Sequence, residues 1–274
     1  MTDPVFIQPS AVQPNLSGEF IPMTDVGQSI VTSFKETFYA YNNRKEESNR
    51  TAQKHLGPSE IGTPCDRRLA MSLLGLPPVN PGGDGWAAWV GTQIHAGVAD
   101  IFQWASADSG RYAVETPIKF ASVLVPRGTG DLLDRVAMVL IDWKCQGEWS
   151  RNRLKTYGPS ETYRVQAHAY GAGLYRRGEK VRHVAIVSLP REASSLDDMY
   201  AWTEPLDLKL ADAAMKRVEQ LDRKLKGLTR IGLSPVEAAH AAPIDASECR
   251  FCSFHLKRSK SLSEGCSGKP EQPS

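Results

Sequence analysis

Asp131 and the triplet Asp142-Trp143-Lys144 are the residues whose types and spacing best suit hydrolytic chemistry. Side chains alternate along an extended strand, so Asp142 and Lys144 share a face. A hairpin turning over Arg135 to Met138 sets Asp131 across from Asp142. Two carboxylates and an ammonium then converge. Such a group can hold a hard divalent cation on the carboxylates and use the lysine to orient or polarise a water. The same triplet pattern recurs as Asp207-Leu208-Lys209 and Asp222-Arg223-Lys224. Both fall in or at an amphipathic helix, where residues two apart do not face one another, and are read as solvated surface. Only Asp142-Trp143-Lys144 ends an apolar run, Val136 to Ile141, where unpaired charge is costly. Spacing alone leaves open a blander alternative, a strand running out into solvent with an exposed salt bridge.

The five cysteines are Cys65, Cys145, Cys249, Cys252 and Cys266. Cys249-Arg-Phe-Cys252 can place two thiolates on one metal centre, and four thiolates suit zinc or an iron–sulfur cluster. An odd count without an export signal argues against a disulfide framework. If Cys65 joins the three C-terminal thiolates, a metal ties both ends of the chain around what lies between. Small buried hydrophobes, or a chance pair, are the alternative.

The positioning elements follow from periodicity. A helical run covers Leu69 to Leu74, and prolines and glycines over 77–85 mark a linker. Apolar spacing is helical again from Trp86 to Trp104, with His95 near the middle. Strand-like stretches follow at Tyr112 to Phe120, Thr129 to Leu133 and Val136 to Lys144. A helix spans about 160–177 between Pro159 and Gly178, placing Gln166 and Tyr170 on one face. Val181 to Leu189 reads as a buried strand. Residues 206–226 form an amphipathic helix, with Gly227 as its C-cap. The order of helices and strands gives an expected fold class of α/β, a mixed layer structure. Residues 1–56 are read as an irregular arm, 57–267 as one domain whose cluster lobe is 57–76 and 244–267, and 268–274 as a tail.

Composition excludes several classes. Of 274 residues, 41% are hydrophobic and 23% charged, as in an ordinary globular chain. The net charge of +2 leaves nucleic-acid affinity to local clusters. No apolar run approaches the ~18–20 residues of a membrane helix, and the N-terminus lacks a signal-peptide pattern. A soluble, cytoplasmic protein is expected.

The ordered set His95, Asp131, Asp142-x-Lys144 and Gln166-x-x-x-Tyr170, enclosed by Cys65 and Cys249-x-x-Cys252 with Cys266, resembles the RecB-type exonucleases of the PD-(D/E)XK superfamily. Within it, the set looks like the iron–sulfur branch, which includes the CRISPR-associated exonucleases of the fourth Cas family and phage-encoded relatives. The resemblance covers roughly 57–267. It implies an α/β, restriction-endonuclease-like mixed sheet flanked by helices, with N- and C-terminal segments joined by a four-cysteine metal cluster, and a metal-dependent DNA exonuclease. His95, Asp131 and Asp142 would ligate Mn2+ or Mg2+ with help from the Trp143 carbonyl, and imidazole ligation makes manganese at least as suitable. Lys144 would activate water or stabilise developing charge, and Gln166 and Tyr170 would position DNA or the lysine. Cys65, Cys249, Cys252 and Cys266 would bind a [4Fe–4S] cluster, structural Zn2+ being the alternative. The thirteen residues before Cys266 exceed the handful usual in the family. Cys145 stands where relatives often carry threonine or serine and is read as a non-ligand. Glu115 is read as an edge-strand surface glutamate rather than an additional active-site carboxylate.

DNA, single-stranded or end-containing, is the implied partner, and recombination or CRISPR-adaptation proteins are further candidates. Arg67, Arg68, Arg151, Arg153, Lys155 and Arg164 are candidate phosphate contacts, with Trp149 and Tyr157 able to stack on bases. No Walker-type phosphate loop is present, so no helicase motor is expected. The competing function is a non-catalytic DNA-end-binding or accessory protein stapled by a four-cysteine metal site.

Overall fold

The computed structural model describes residues 22–49, 55–80, 85–193 and 195–269. The chain divides into two units, Met1–Thr51 and Ala52–Ser274. The first contains helix α1 (Asp25–Asn49). In the second, α2 (Asp66–Leu73), α3 (Trp86–Ser106), β1 (Tyr112–Lys119), β2 (Arg127–Asp134), β3 (Val139–Gln146), α4 (Glu148–Tyr157) and α5 (Glu161–Arg176) are followed by β4 (His183–Pro190), β5 (Tyr200–Pro205), α6 (Leu208–Arg230) and α7 (Pro235–His240).

The five strands form one mixed sheet in chain order. All neighbours are antiparallel except β3 and β4, which run parallel from Val139↔His183 to Gln146↔Pro190. That parallel pair requires a crossover, and α4 and α5 supply it. Leu132, Leu133 and Asp134 of β2 face Ile141, Leu140 and Val139 of β3, the register that the expected hairpin requires. Asp134 secures its turn: Oδ1 accepts the Val136 and Ala137 N–H groups, and Arg111 grips both carboxylate oxygens. Met138 completes the turn at φ 56, in the left-handed region.

Each face of the sheet packs on one principal helix. Ile118, Leu133, Leu140, Val184 and Ile186 meet Ala167, Tyr170 and Leu174 of α5. Leu132, Trp143, Ala185 and Val187 meet Ile94, Val98 and Phe102 of α3. A separate core joins α2, α6 and α7 to the C-terminal segment, with Leu69, Val218, Leu221, Leu225, Phe254 and Leu262 at its centre. Every third or fourth residue of α6 from Ala211 to Leu225 is buried there, as its periodicity requires.

Several expectations are corrected. Residues 25–49 are helical, not irregular: Val26, Ile30, Phe34 and Phe38 recur every four residues, and the Thr24 hydroxyl accepts the Gly27 N–H at the entry. Residues 1–21 and 270–274, parts of the expected arm and tail, lie outside the described residues. Val136 to Met138 belong to the turn rather than to β3. The helix at 206–226 continues through Gly227 to Arg230, because Leu228 still packs against the core beneath it. Asp207 caps that helix by accepting the Lys209 and Leu210 N–H groups, and Asp222 pairs with Lys226 one turn on. Helix α4, which breaks the stretch between β3 and α5, and strand β5 were not anticipated.

Candidate active site and cysteine cavity

The site forms where the sheet's regular pairing fails. Strands β2 and β3 pair only as far as Leu132 and Ile141. Beyond that point the Asp131 carboxylate enters the fork, and its Oδ2 accepts the Trp143 N–H at 2.8 Å. Opposite Asp131 on the other side of β2 lies Glu115, between the paired rungs Val114↔Leu132 and Thr116↔Gly130. Glu115 has φ 45, an unfavourable conformation for any residue but glycine. The consequence is an inversion of side-chain alternation. Ile118 and the Cα–H faces of Gly128 and Gly130 point to the α5 side, whereas Val114, Tyr112 and Leu132 point to the α3 side. Regular alternation would put 114 and 118 on the same face. The irregular rung instead turns both Glu115 and Asp131 toward α3.

There they meet His95. Its Nδ1 lies 3.6 Å from Asp131 Oδ2, and one ligand atom from each of His95, Glu115 and Asp131 falls within 4.8 Å of the others. This is a group that can hold a divalent cation. Glu115 is exposed, as the sequence reading expected of a surface glutamate, yet it also stands within reach of His95 and Asp131. An isolated Val-Glu-Thr in an edge strand carries no period that distinguishes a ligand from a surface glutamate; the backbone inversion makes the difference.

Asp142 and Lys144 occupy the α5 side of β3. Asp142 is 1% exposed, its Oδ2 lies 2.7 Å from Lys144 Nζ, and its Oδ1 has no hydrogen-bond partner among the described residues. Lys144 also donates to Gln166 Oε1 at 3.3 Å and lies 4.7 Å from the Tyr163 ring centroid. Gln166 Nε2 donates in turn to the Tyr170 hydroxyl at 3.4 Å. The Ser160 hydroxyl caps α5 through the Tyr163 N–H, which sets where that face begins. Gly128 lets Tyr170 approach: a Cβ there would stand 2.6 Å from the ring. So Asp142 is ion-paired to Lys144, which is hydrogen-bonded to Gln166 and through it to Tyr170; this row stands at the β2–β3 fork beside the His95–Glu115–Asp131 group, of which Asp142 is not a member. Trp143 contributes its N–H to Asp131 and its ring to the core under α3, stacked on Phe102.

Burial dominates the electrostatics. It pushes the Asp142 carboxyl up to about 6, against the pull of Lys144 and with the help of Asp131. Burial likewise raises Asp131, opposed by the Trp143 N–H and by His95. Burial works against the charge on Lys144, but the Asp142 carboxylate outweighs it and the lysine is held protonated. Acidic groups raised toward neutrality, one with an unpartnered buried oxygen, are what a site shaped for a cation shows in the protein alone.

Cys65, Cys249, Cys252 and Cys266 line one cavity together with Thr63, Arg68, Met71, Asp245, Glu248 and His255. The N-terminal and C-terminal segments meet where the Arg67 N–H donates to the Pro243 carbonyl and the Val79 and Asn80 N–H groups donate to the Ser253 carbonyl; within the C-terminal segment Cys266 donates its N–H to the Phe254 carbonyl and accepts from the Leu256 N–H. Gly268, at φ 73, backs onto the Cys249 sulfur, which a Cβ would approach to 2.9 Å. The thiols are not drawn into a tight cluster: among the described residues no three cysteine sulfurs lie within 4.8 Å of one another. Cys145 is not among the residues lining this cavity.

The candidate DNA contacts separate sharply. Arg67 is buried, its guanidinium donating to the Ala242 and His240 carbonyls. Arg151 is buried 3.9 Å from Asp198. These two are withdrawn from solvent because each lies on the inner face of a short helix. Arg164 is held by Glu204, and Arg68 lies 3.6 Å from Glu248. Arg153 and Lys155 are exposed, as are Trp149 and Tyr157.

No protein-family model matches the chain, and no curated protein does. Among solved structures, the chain is similar to SSO0001, with TM-score 0.45 and 16% identity over 81% of this chain and 94% of that one. It is similar also to an alkaline exonuclease, LHK-Exo, from Laribacter hongkongensis, with TM-score 0.43 and 14% identity over 72% and 98%. For LHK-Exo in complex with dAMP the values are 0.40 and 16% over 65% and 94%. Among the described residues, no helix is long and apolar enough to cross a membrane.

Proposed function

We propose that the protein is a metal-dependent DNA exonuclease of the PD-(D/E)XK type. The observation that carries this reading is the junction of two groups at one fork in the sheet: His95, Glu115 and Asp131 within ligand distance of one another, and the buried Asp142–Lys144 pair beside them. The motif order in the sequence supports DNA as substrate. The residues fit a divalent cation, since imidazole and carboxylate converge and Asp142 Oδ1 lacks a donor. His95, Glu115 and Asp131 would hold it, with Asp142 and the Trp143 carbonyl completing the set; bound there, it would supply Lewis-acid stabilisation of a phosphoryl oxygen and a nucleophilic water. Protonated Lys144 places a positive charge beside the position where the scissile phosphate gains negative charge. Gln166 fixes the lysine's direction, and Tyr170 fixes Gln166.

The cysteine cavity fits a metal group in donor chemistry, with four thiols from both ends of the domain. A tetrahedral zinc with Zn–S bonds of about 2.3 Å needs sulfurs within roughly 4 Å of one another. A [4Fe–4S] cluster, or a structural zinc drawing the thiols closer, would be held by Cys65, Cys249, Cys252 and Cys266 and would close the domain.

End-labelled single and double strands incubated with Mn2+ or Mg2+ test the reading. Progressive shortening from an end is expected, abolished by Asp131→Asn and Lys144→Met while DNA binding persists. Wild-type protein that binds DNA and never cleaves it establishes the non-catalytic end-binding alternative instead.

A further inference from the structure

The ribbon formed by β1 and β2 carries a feature that the fold does not require. Lys119 and Arg127 are directly opposed on the terminal rung of this antiparallel pair. Both are exposed, and neither side chain has a hydrogen-bond or ion-pair partner among the described residues. Like charges directly opposite across a ladder repel and destabilise it, with Cβ atoms about 5 Å apart. Native edges use scattered charge, but two facing cations without a counter-charge need an anion from elsewhere.

Their position says which anion. Ile118 is buried on the α5 side, and Gly128 and Gly130 turn their Cα–H groups the same way. Lys119 and Arg127 therefore share the opposite face with Glu115 and Asp131. On this face only Pro117↔Thr129 stands between the two rungs, uncharged and exposed. Four strand residues separate the cation rung from the carboxylate rung, roughly 13 Å at about 3.3 Å per residue. At about 3.4 Å per stacked nucleotide, that is on the order of four nucleotides. The facing part of α3 leaves this strip uncovered: Ala87, Ala88, Thr92 and Gln93 are exposed, and a Cβ on Gly91 would meet no atom within 4 Å.

We propose that the β1–β2 ribbon is a DNA track, in which Lys119 and Arg127 grip a phosphate of the strand about four nucleotides from the phosphate held at the His95–Glu115–Asp131 site. This deepens the nuclease reading and rests on it. It also accounts for the rung: bound phosphate supplies the charge that the free protein lacks. An acidic polypeptide could satisfy two cations equally, but it would have no reason to align with a metal-ligating rung on the same strip.

The test uses the full chain carrying Lys144→Met, which prevents cleavage while leaving the cation in place, with labelled oligodeoxythymidylates and Mn2+. Lys119→Ala/Arg127→Ala should weaken binding of about a twelve-nucleotide strand by roughly tenfold at 0.1 M salt and flatten the log Kd against log salt slope by about 0.7, the value for one phosphate on a single strand. A dinucleotide, too short to reach the rung, should bind both proteins equally. Lys119→Glu should move two readouts in opposite directions: weaker DNA binding, and a thermal midpoint raised by about 1–2 °C as a facing ion pair replaces the repulsion. Unchanged affinity and slope in the double variant, an equal loss with the dinucleotide, or competition by polyglutamate as effective as by DNA each overturns the track while leaving any observed cleavage in place. Wild-type protein that neither binds nor cleaves DNA overturns the parent reading, and the track with it.

Discussion

Glu115 offers an unusual sign test, because its backbone and its carboxylate make separable contributions. At φ 45 it sits where a Cβ costs roughly 1–2 kcal/mol. Alanine keeps that cost and glycine removes it, although glycine loses roughly 0.5–1 kcal/mol relative to alanine in an ordinary strand. Glu115→Gly should therefore be more stable than Glu115→Ala by about 0.5–1 kcal/mol, the reverse of the usual strand order. In a unit of this size the difference is about 1–3 °C in thermal midpoint. Both variants equally remove the Glu115 charge that helps to raise the Asp131 carboxyl, so this effect cancels in the comparison. Both should also lose Mn2+ affinity and cleavage, measured by calorimetry and by end-labelled digestion. Urea unfolding in EDTA supplies the stability difference. Alanine equal to or better than glycine would show that the inverted rung is not strained, and wild-type Mn2+ affinity in either variant would remove Glu115 from the metal site.

Three further outcomes follow from other parts of the structure. The Arg111 guanidinium holds the Asp134 carboxyl below the usual carboxylate range, so its contribution is fully present above about pH 4 and disappears as pH falls through the lower folded value. With Arg111 half-exposed and screened, Asp134→Asn should cost about 1 kcal/mol at pH 7 and progressively less as pH falls below about 4, while Asp134→Ala should cost about 2–3 by also freeing two turn N–H groups; urea titrations across this pH range check this. Arg67→Ala should lose about 2–4 kcal/mol in the same assay by orphaning two carbonyls, yet leave the salt slope of DNA binding unchanged. Gly268→Ala, strained at its left-handed φ and pressing on the Cys249 sulfur, should lower the iron content and visible absorbance of anaerobically purified protein; full retention would separate Cys249 from the cluster.

Much of the candidate site was legible in local order. Alternation along an apolar run put Asp142 and Lys144 on one face, four-residue spacing put Gln166 and Tyr170 on one face, and Pro159 with Gly178 bracketed α5, because each depends on neighbours within one element. Amphipathic α6 was legible for the same reason. The helix at 25–49 was legible too, in its four-residue apolar stripe, but the prolines and missing basic residues upstream masked it. The placement of Glu115 was not legible, since a single left-handed residue has no periodic signature and its effect is to reverse a face. The burial of Arg67 and Arg151 was equally hidden: a basic residue looks the same in sequence whether it meets water or a carbonyl from a segment about 175 residues away.

Chain order alone therefore determined which chemical groups exist and which of them share a strand or helix face, since backbone geometry sets those periods. Only the packed structure decided which groups meet across elements. The splaying of β2 from β3, the inversion at Glu115 and the helix that brings His95 to the gap all arise from long-range contacts, whose partners no local period encodes.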